Sequence, residues 1–358
     1  MTMTEHHQLP EFVPLVLTIA RESRRMSQSA LAKAAGLSQG ALSQIEAGRF
    51  VPTDEVVQRL ATELRYPPSL FGVSLRFQQL PLTFFRKKAR VGVRDVNAIR
   101  ARINLYRLRL EIMLRAVELP DVRVSLTDMQ KQKLTPEEAA QRLRRYWNVP
   151  PGPIQNVTAL VEEHGILVVP VDFGTAAVDG LSIYEPNDNM PPMIFINPDL
   201  PPDRWRMTVV HELGHIVCHH HLLIPPDGKD METEAFQFAQ EFLMPTREIS
   251  GQLTRVSMRE IAALKLYWRV SMRALVKRAR ALGRISDRQE RWLFIQLARD
   301  GQSEIVGIAA EHAKVVRGMV DRHADLGFSH QDLSRTLHQE IDEFRSDFGV
   351  GVKHLRLA

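Results

Sequence analysis

Residues 12–72 carry short apolar runs at helical spacing, separated by serine and glycine. Ser27 and Ser38 stand where helices over 28–35 and 39–47 would begin, because serine caps a helix N-terminus. A glycine that can take the left-handed turn follows each segment, and two short helices joined by such a turn form a helix-turn-helix. The predicted inward positions are Leu31, Ala32, Leu37, Leu42 and Ile45, and further helices are predicted at 12–25 and 53–64.

The middle of the chain has a mixed pattern. Helices predicted at 136–147 and 154–164 are followed by three short segments rich in β-branched or apolar residues, at 166–171, 180–184 and 193–196. We expect the last strand to lie at the edge of the sheet, where an extended peptide could add as another strand.

Two further regions are predicted to be helical. A long helix over 97–118 has too many apolar positions to be exposed alone, so we expect it to pack on the middle domain or, alternatively, to mediate dimerisation. The chain beyond Pro245 is predicted to be helical to its end, at about 258–264, 271–281, 287–299, 305–323 and 331–348.

Composition narrows the class of protein. The 358 residues are 44% hydrophobic and 25% charged, which is typical of a globular protein with two or three domains. No apolar run approaches the roughly 20 residues that span a membrane, and residues 1–10 lack the form of a signal peptide, so we expect a cytoplasmic protein without a membrane partner. The one cysteine, Cys218, excludes an intrachain disulfide. The net charge of +5 favours a polyanionic partner.

The residues 211–215 read His-Glu-Leu-Gly-His. Histidines four apart lie on one face of a helix, so His211 and His215 can bind one cation, with Glu212 beside them as a general base. Apolar residues cover the opposite face of this segment. The pattern predicts a metal-dependent hydrolase, with Zn²⁺ as the metal and Mn²⁺ also accepted by such ligands.

A catalytic zinc site needs a third protein ligand. Glu232 is favoured, because Ala235 and Ala239 on the same side of its predicted helix would allow close approach to the first helix. Glu234 and His221 are the alternatives. His221 has the spacing of the extended motif, but Cys218 occupies the place where that motif needs a glycine.

These linked motifs resemble the ImmA/IrrE family of metallopeptidases over about residues 136–250. The resemblance is carried by Arg-Trp-Arg-Met-Thr before His-Glu-Leu-Gly-His, and by Glu-x-x-Ala-x-x-Phe-Ala-x-x-Phe-Leu-Met-Pro from Glu232. It implies zinc bound by His211, His215 and Glu232, with Glu212 as the general base. Phe236 departs from the Asn or Asp common in that family, and we expect altered hydrogen bonding around the metal. His219 is a candidate for oxyanion stabilisation.

Residues 28–48 resemble the Xre family, the Cro and lambda-repressor type of DNA-binding domain. The resemblance implies that the second helix of the pair enters the major groove of an operator. The alternative is that this bundle binds protein. The basic run at 84–90 could add phosphate contacts or be a solvated loop. The residues expected to face DNA are Gln28 and Ser38 at phosphates, and Gln39, Gly40, Ala41, Ser43 and Gln44 at bases, with Gln39 the best single base reader.

The sequence therefore predicts a mainly α protein with a small sheet in its middle domain. The predicted domains are a helix-turn-helix domain at 1–72, a basic linker and long helix at 73–134, a metallopeptidase domain at 135–256 and a helical region at 257–358. We expect a homodimeric transcriptional regulator that binds double-stranded DNA and whose peptidase cleaves itself or a related Xre-type repressor in response to a signal. The alternative is a regulator whose zinc domain senses a ligand or stabilises the fold without cutting.

Overall fold

The computed structural model describes residues 11–79, 91–124, 132–219, 230–299 and 307–349. Within these residues the chain forms sixteen α-helices, one 3-10 helix and a three-stranded sheet, which confirms the mainly α fold. Contacts divide the chain into two compact units. The first comprises 1–118, 173–177 and 317–358, and the second comprises 119–172 and 178–316.

The first unit contains the helix-turn-helix. Its helices are α1 Pro14–Ser23, α2 Gln28–Ala34, α3 Gln39–Glu46, α4 Asp54–Leu64, the 3-10 helix Pro68–Gly72 and α5 Val93–Leu114. The side chains of Ser27 and Ser38 each accept a hydrogen bond from a first-turn backbone N–H at 3.1 Å. Gly36 and Gly48 have φ of +67° and +69°, so the predicted caps and turns are confirmed.

The long helix α5 corrects one expectation from the sequence. Ala101, Leu105 and Leu108 lie in the same core as α1 to α4, so α5 packs on the helix-turn-helix bundle, where packing on the middle domain was expected. Farther along, Arg109 of α5 forms an ion pair with Asp347 at 3.3 Å. The last three helices follow the second unit in the chain: α14 Val315–Asp325, which enters the first unit at residue 317, α15 His330–Thr336 and α16 Ile341–Asp347.

The second unit combines helices with the sheet. Its elements, in chain order, are α6 Pro136–Tyr146, α7 Val157–Glu163, β1 Leu167–Pro170, β2 Gly180–Ile183, β3 Met193–Ile196, α8 Pro202–His219, α9 Met231–Leu243, α10 Thr246–Ile249, α11 Met258–Trp268, α12 Met272–Ala281 and α13 Asp287–Arg299. The strand order is β1-β3-β2, with β3 parallel to β1 and antiparallel to β2. The expectation that the last strand is an edge is wrong, because β3 pairs on both sides and β1 and β2 are the edges.

A large apolar core joins most elements of the second unit. The apolar face of α8 packs with β1, β3 and α9, and residues of α11, α12 and α13 belong to the same cluster. The buried carboxylate of Glu241 in α9 binds Arg278 of α12 and accepts hydrogen bonds from Gln141 and Thr246. Burial raises the pKa of Glu241, but hydrogen bonds from Thr246, Gln141 and Arg278 outweigh it and lower that pKa.

None of the described helices has both the length and the apolar character needed to cross a membrane.

Candidate metal centre and nucleic-acid interface

Three side chains from two helices of the second unit converge. His211 and His215 lie one turn apart on α8, and Glu232 lies in the first turn of α9. The Nε2 atoms of the two histidines are 3.2 Å apart, and the Glu232 carboxylate oxygens lie 3.3 Å from His211 Nε2 and 3.5 Å from His215 Nε2. Among the residues described, these three form the group able to hold a metal ion.

The spacing of this triangle fits a zinc ion. Zinc bonds to nitrogen and carboxylate oxygen of about 2.0–2.1 Å in a tetrahedron place neighbouring ligand atoms about 3.3 Å apart. Burial raises the pKa of Glu232, but hydrogen bonds from His211 and His215 outweigh it and hold that pKa well below its usual range. The carboxylate is therefore ionised, as a metal ligand must be.

Small residues allow α8 and α9 to approach closely enough for this geometry. A Cβ added to Gly214 would lie 3.0 Å from Phe238 Cδ1 and 3.2 Å from the carbonyl oxygen of Ala235. Ala235 and Ala239 are fully buried, as expected from the sequence. At the start of α9, Asp230 caps the helix by accepting a hydrogen bond from Thr233 N at 3.2 Å. The close approach of the two helices and the Asp230 cap together hold Glu232 opposite the two histidines.

The carboxylate of Glu212 is buried beside the triangle, with only 4% of the residue exposed. Ser182 of β2 donates a hydrogen bond to Glu212 Oε2 at 2.8 Å. At Gly180, the first residue of β2, an added Cβ would lie 2.8 Å from Thr208 Cγ2, so the strand lies directly against α8. Ser182 was not predicted from the sequence, although a serine within an otherwise apolar strand was a usable signal.

The remaining polar candidates lie around His219. Its Nδ1 is 3.0 Å from His215 Nδ1, and its Nε2 is 2.8 Å from Glu234 Oε2. Both ring nitrogens thus face protein partners, which corrects the expectation that His219 could stabilise an oxyanion. Glu234, an alternative third ligand, binds His219 instead of joining the triangle. His221, the other alternative, lies outside the described residues.

Cys218 lies in the apolar core behind the site. Its side chain is fully buried and belongs to the apolar core of the second unit. This position agrees with a residue that packs the helix.

The candidate DNA-reading residues lie on and around α3 in the first unit. Leu42 and Ile45 are buried in the bundle, so the opposite face of α3 is available to a ligand. The basic run at 84–90 lies outside the described residues. Of the predicted contacts, Ser38, Gln39, Gly40 and Gln44 are exposed, and Gln28, Ala41 and Ser43 are half-buried.

A chain of polar contacts orients Gln39, the residue predicted to read a base. The Arg21 guanidinium binds both carboxylate oxygens of Glu46, at 2.6 and 3.0 Å. Glu46 Oε2 accepts a hydrogen bond from Gln28 Nε2 at 2.8 Å, and Gln28 Oε1 accepts one from Gln39 Nε2 at 3.0 Å. The amide of Gln39 is therefore held in one orientation at the start of α3. Arg21 and Glu46 were not singled out in the sequence.

Comparisons with known proteins identify a family for part of each unit. Residues 17–71 match the family model described as helix-turn-helix. Residues 161–280 match the peptidase family model described as the IrrE N-terminal-like domain. A search of curated proteins found no match. The predicted fusion of an Xre-type helix-turn-helix with an IrrE/ImmA-like domain is confirmed, and the second match extends through α11 and most of α12.

Proposed function

We propose that the protein is a DNA-binding transcriptional regulator with a zinc-dependent endopeptidase domain that cleaves itself or a related Xre-type repressor in response to a signal. The observation that carries this proposal is the triangle of His211, His215 and Glu232 with the buried carboxylate of Glu212 beside it. The helix-turn-helix in the same chain supports a role at an operator.

The donor set supports a catalytic site more than a structural one. Structural zinc sites are usually closed by four protein ligands, often cysteines, whereas catalytic sites have three and leave a position for water. Here the donors are two imidazoles and one carboxylate, and the side chains of His211 and Glu232 are 19% and 35% exposed. A bound zinc ion would polarise a scissile carbonyl and lower the pKa of its water to about 7. Manganese is compatible with the same ligands.

Glu212 supplies the proton transfers in this proposal. Its carboxylate would take a proton from the attacking water and deliver it to the leaving amine of the cleaved peptide bond. The hydrogen bond from Ser182 holds one carboxylate oxygen and thereby orients the other. A zinc domain that only senses a ligand or stabilises the fold does not require a buried base at this position.

The DNA-binding half of the proposal rests on the exposed face of α3. Gln39 and its polar contacts would read a base edge in the major groove, with Gln28 and the capped start of α3 at phosphates. We propose a homodimer on paired half-sites, because helix-turn-helix proteins commonly bind operators in that form.

The proposal is tested by comparing cells that express the wild-type chain with cells that express Glu212→Gln. New protein N-termini are identified by labelling and mass spectrometry, and zinc content and operator binding are measured for both purified chains. Glu163→Gln, at an exposed residue of the same unit, is the matched control. We expect new N-termini, in this chain or in a helix-turn-helix repressor, only where Glu212 is intact. Identical N-termini together with unchanged operator regulation in Glu212→Gln would refute cleavage and favour the non-proteolytic sensor.

A further inference from the structure

We propose that His219 and Glu234 are positioning residues that set the proton arrangement of His215 for metal binding. This inference rests on the proposed metal centre. It concerns residues that face away from the triangle of His211, His215 and Glu232. It gives them a role in the affinity of the protein for the metal.

The two ring nitrogens of His215 face different partners. Nε2 points to His211 and Glu232, whereas Nδ1 lies 3.0 Å from Nδ1 of His219. His219 then reaches Glu234 Oε2 with its Nε2 at 2.8 Å. The side chains of His215 and His219 are each only 2% exposed, so these contacts are shielded from water.

The contact between two imidazole nitrogens requires one donor and one acceptor. If Nε2 of His215 gives its lone pair to a metal, the proton of the neutral ring must be on Nδ1. His219 Nδ1 must then accept that proton's hydrogen bond, which places the proton of His219 on Nε2. That N–H donates to the carboxylate of Glu234, which as an ionised group can only accept. The three contacts are satisfied together by this one arrangement.

Glu234 selects this arrangement over its reverse. Without the carboxylate, His219 can carry its proton on Nδ1 and donate it to His215. His215 would then hold its own proton on Nε2, where the metal must bind, so the ligand would be blocked. Partners that fix the tautomer of a metal-binding histidine commonly contribute about 10–100-fold in metal affinity or activity.

His219 cannot instead be a fourth ligand of the same ion. It contacts the Nδ1 side of the His215 ring, and the metal-binding triangle lies on the Nε2 side. Its remaining nitrogen is held by Glu234. The geometry therefore assigns His219 and Glu234 the role of holding His215, one of the proposed metal ligands.

The test uses the full-length chain and measures zinc affinity by competition with a chromogenic chelator. The visible absorption spectrum of Co²⁺ bound in place of zinc reports ligand geometry. The variants are His219→Ala, Glu234→Ala, the double variant and His219→Asn, with Glu163→Gln as a control at an exposed residue of the same unit. Asparagine keeps an oxygen that can accept a hydrogen bond from His215 Nδ1. Its side chain is too short to reach Glu234.

We expect both alanine variants to lose about 10–100-fold in zinc affinity and to alter the Co²⁺ spectrum. The double variant should bind zinc no more weakly than His219→Ala, because the proposal places the effect of Glu234 on the metal in its hydrogen bond with His219. His219→Asn should recover affinity to about the level of Glu234→Ala. Glu163→Gln should match the wild type in both measurements.

Additive losses in the double variant, or unchanged affinity and spectrum in His219→Ala, would overturn the inference. If His219→Ala fails to fold, as judged by the circular dichroism of the metal-free protein, Glu234→Ala decides, since that side chain is 22% exposed. A wild-type chain that binds no zinc would overturn the metal centre and this inference with it. A wild-type chain that binds zinc tightly but cleaves nothing would refute only the proposed peptidase activity.

Discussion

Zinc should stabilise the second unit, and Glu232→Ala should abolish most of that stabilisation. The two histidines and Glu232 already stand 3.2 to 3.5 Å apart, so little reorganisation opposes binding. At free zinc of 100 times the dissociation constant, binding stabilises the folded state by about 2.7 kcal/mol. For a unit of this size, each kcal/mol raises Tm by about 2–4 °C, so the expected rise is about 5–11 °C.

Loss of one of the three ligands should reduce this effect sharply. If Glu232→Ala weakens affinity about 100-fold, the same zinc concentration stabilises by only about 0.4 kcal/mol, which is about 1–2 °C. The assay is thermal unfolding of chelator-treated protein with and without added zinc, followed by circular dichroism. Glu163→Gln, at an exposed residue of the same unit, should respond as the wild type does.

An equal zinc response in the wild type and Glu232→Ala would refute the assignment of Glu232 as the third ligand. Loss of the response in His221→Ala instead would transfer that role to a residue outside the described part of the chain. Glu234→Ala should fall between the wild type and Glu232→Ala, because its effect on the metal passes through His219.

Three further predictions concern the base, the core and the DNA interface. Ser182→Ala should lower kcat for peptide cleavage about tenfold with unchanged zinc content, because the carboxylate of Glu212 loses its orienting hydrogen bond and general-base catalysis contributes about 10²–10⁴-fold. Glu241→Ala should cost about 3–5 kcal/mol in urea unfolding at pH 7, because it leaves the buried charge of Arg278 unpaired. The folded-state pKa of Glu241 is lowered, so the stabilisation that its carboxylate provides is present above the unfolded pKa of about 4.3 and is lost as pH falls below it. The difference in the free energy of unfolding between wild type and Glu241→Ala should therefore narrow at acid pH. Gln39→Ala should weaken operator binding by about 1–3 kcal/mol and relax specificity at one base pair.

Each of these predictions has an opposite outcome that would count against it. A raised KM with unchanged kcat in Ser182→Ala would place Ser182 in substrate binding. Glu163→Ala, at an exposed residue, should change the free energy of unfolding by less than about 0.5 kcal/mol, and a similar value for Glu241→Ala would refute the buried pair. Equal losses on all DNA sequences in Gln39→Ala would indicate a phosphate contact.

Local features of both domains could be predicted because neighbouring residues determine them. The caps at Ser27 and Ser38 and the left-handed turns at Gly36 and Gly48 depend on residues a few positions apart. The placement of His211 and His215 on one face follows from helix geometry alone. Small residues in the segment after Glu232 indicated where a second helix could come close to the first.

Tertiary structure decided the contacts between distant segments. The middle position of β3 depends on pairing with β1 and β2, and the packing of α5 on α1 depends on a bundle far away in the sequence. A strand or an amphipathic helix has an apolar surface that several partners could cover, so its sequence does not identify the partner. The choice is made by the packing of the whole unit.

The same distinction between neighbouring and distant residues explains why the metal-site motif could be predicted and the residues that support it could not. His211, Glu212 and His215 belong to one helix, so their spacing in the sequence was enough to predict a metal site and its base. Ser182 reaches Glu212 across 30 positions, and the contact between His219 and Glu234 spans 15. Hydrogen bonds of this range form only after two elements have packed at a particular distance and rotation, which the local pattern of neither element determines.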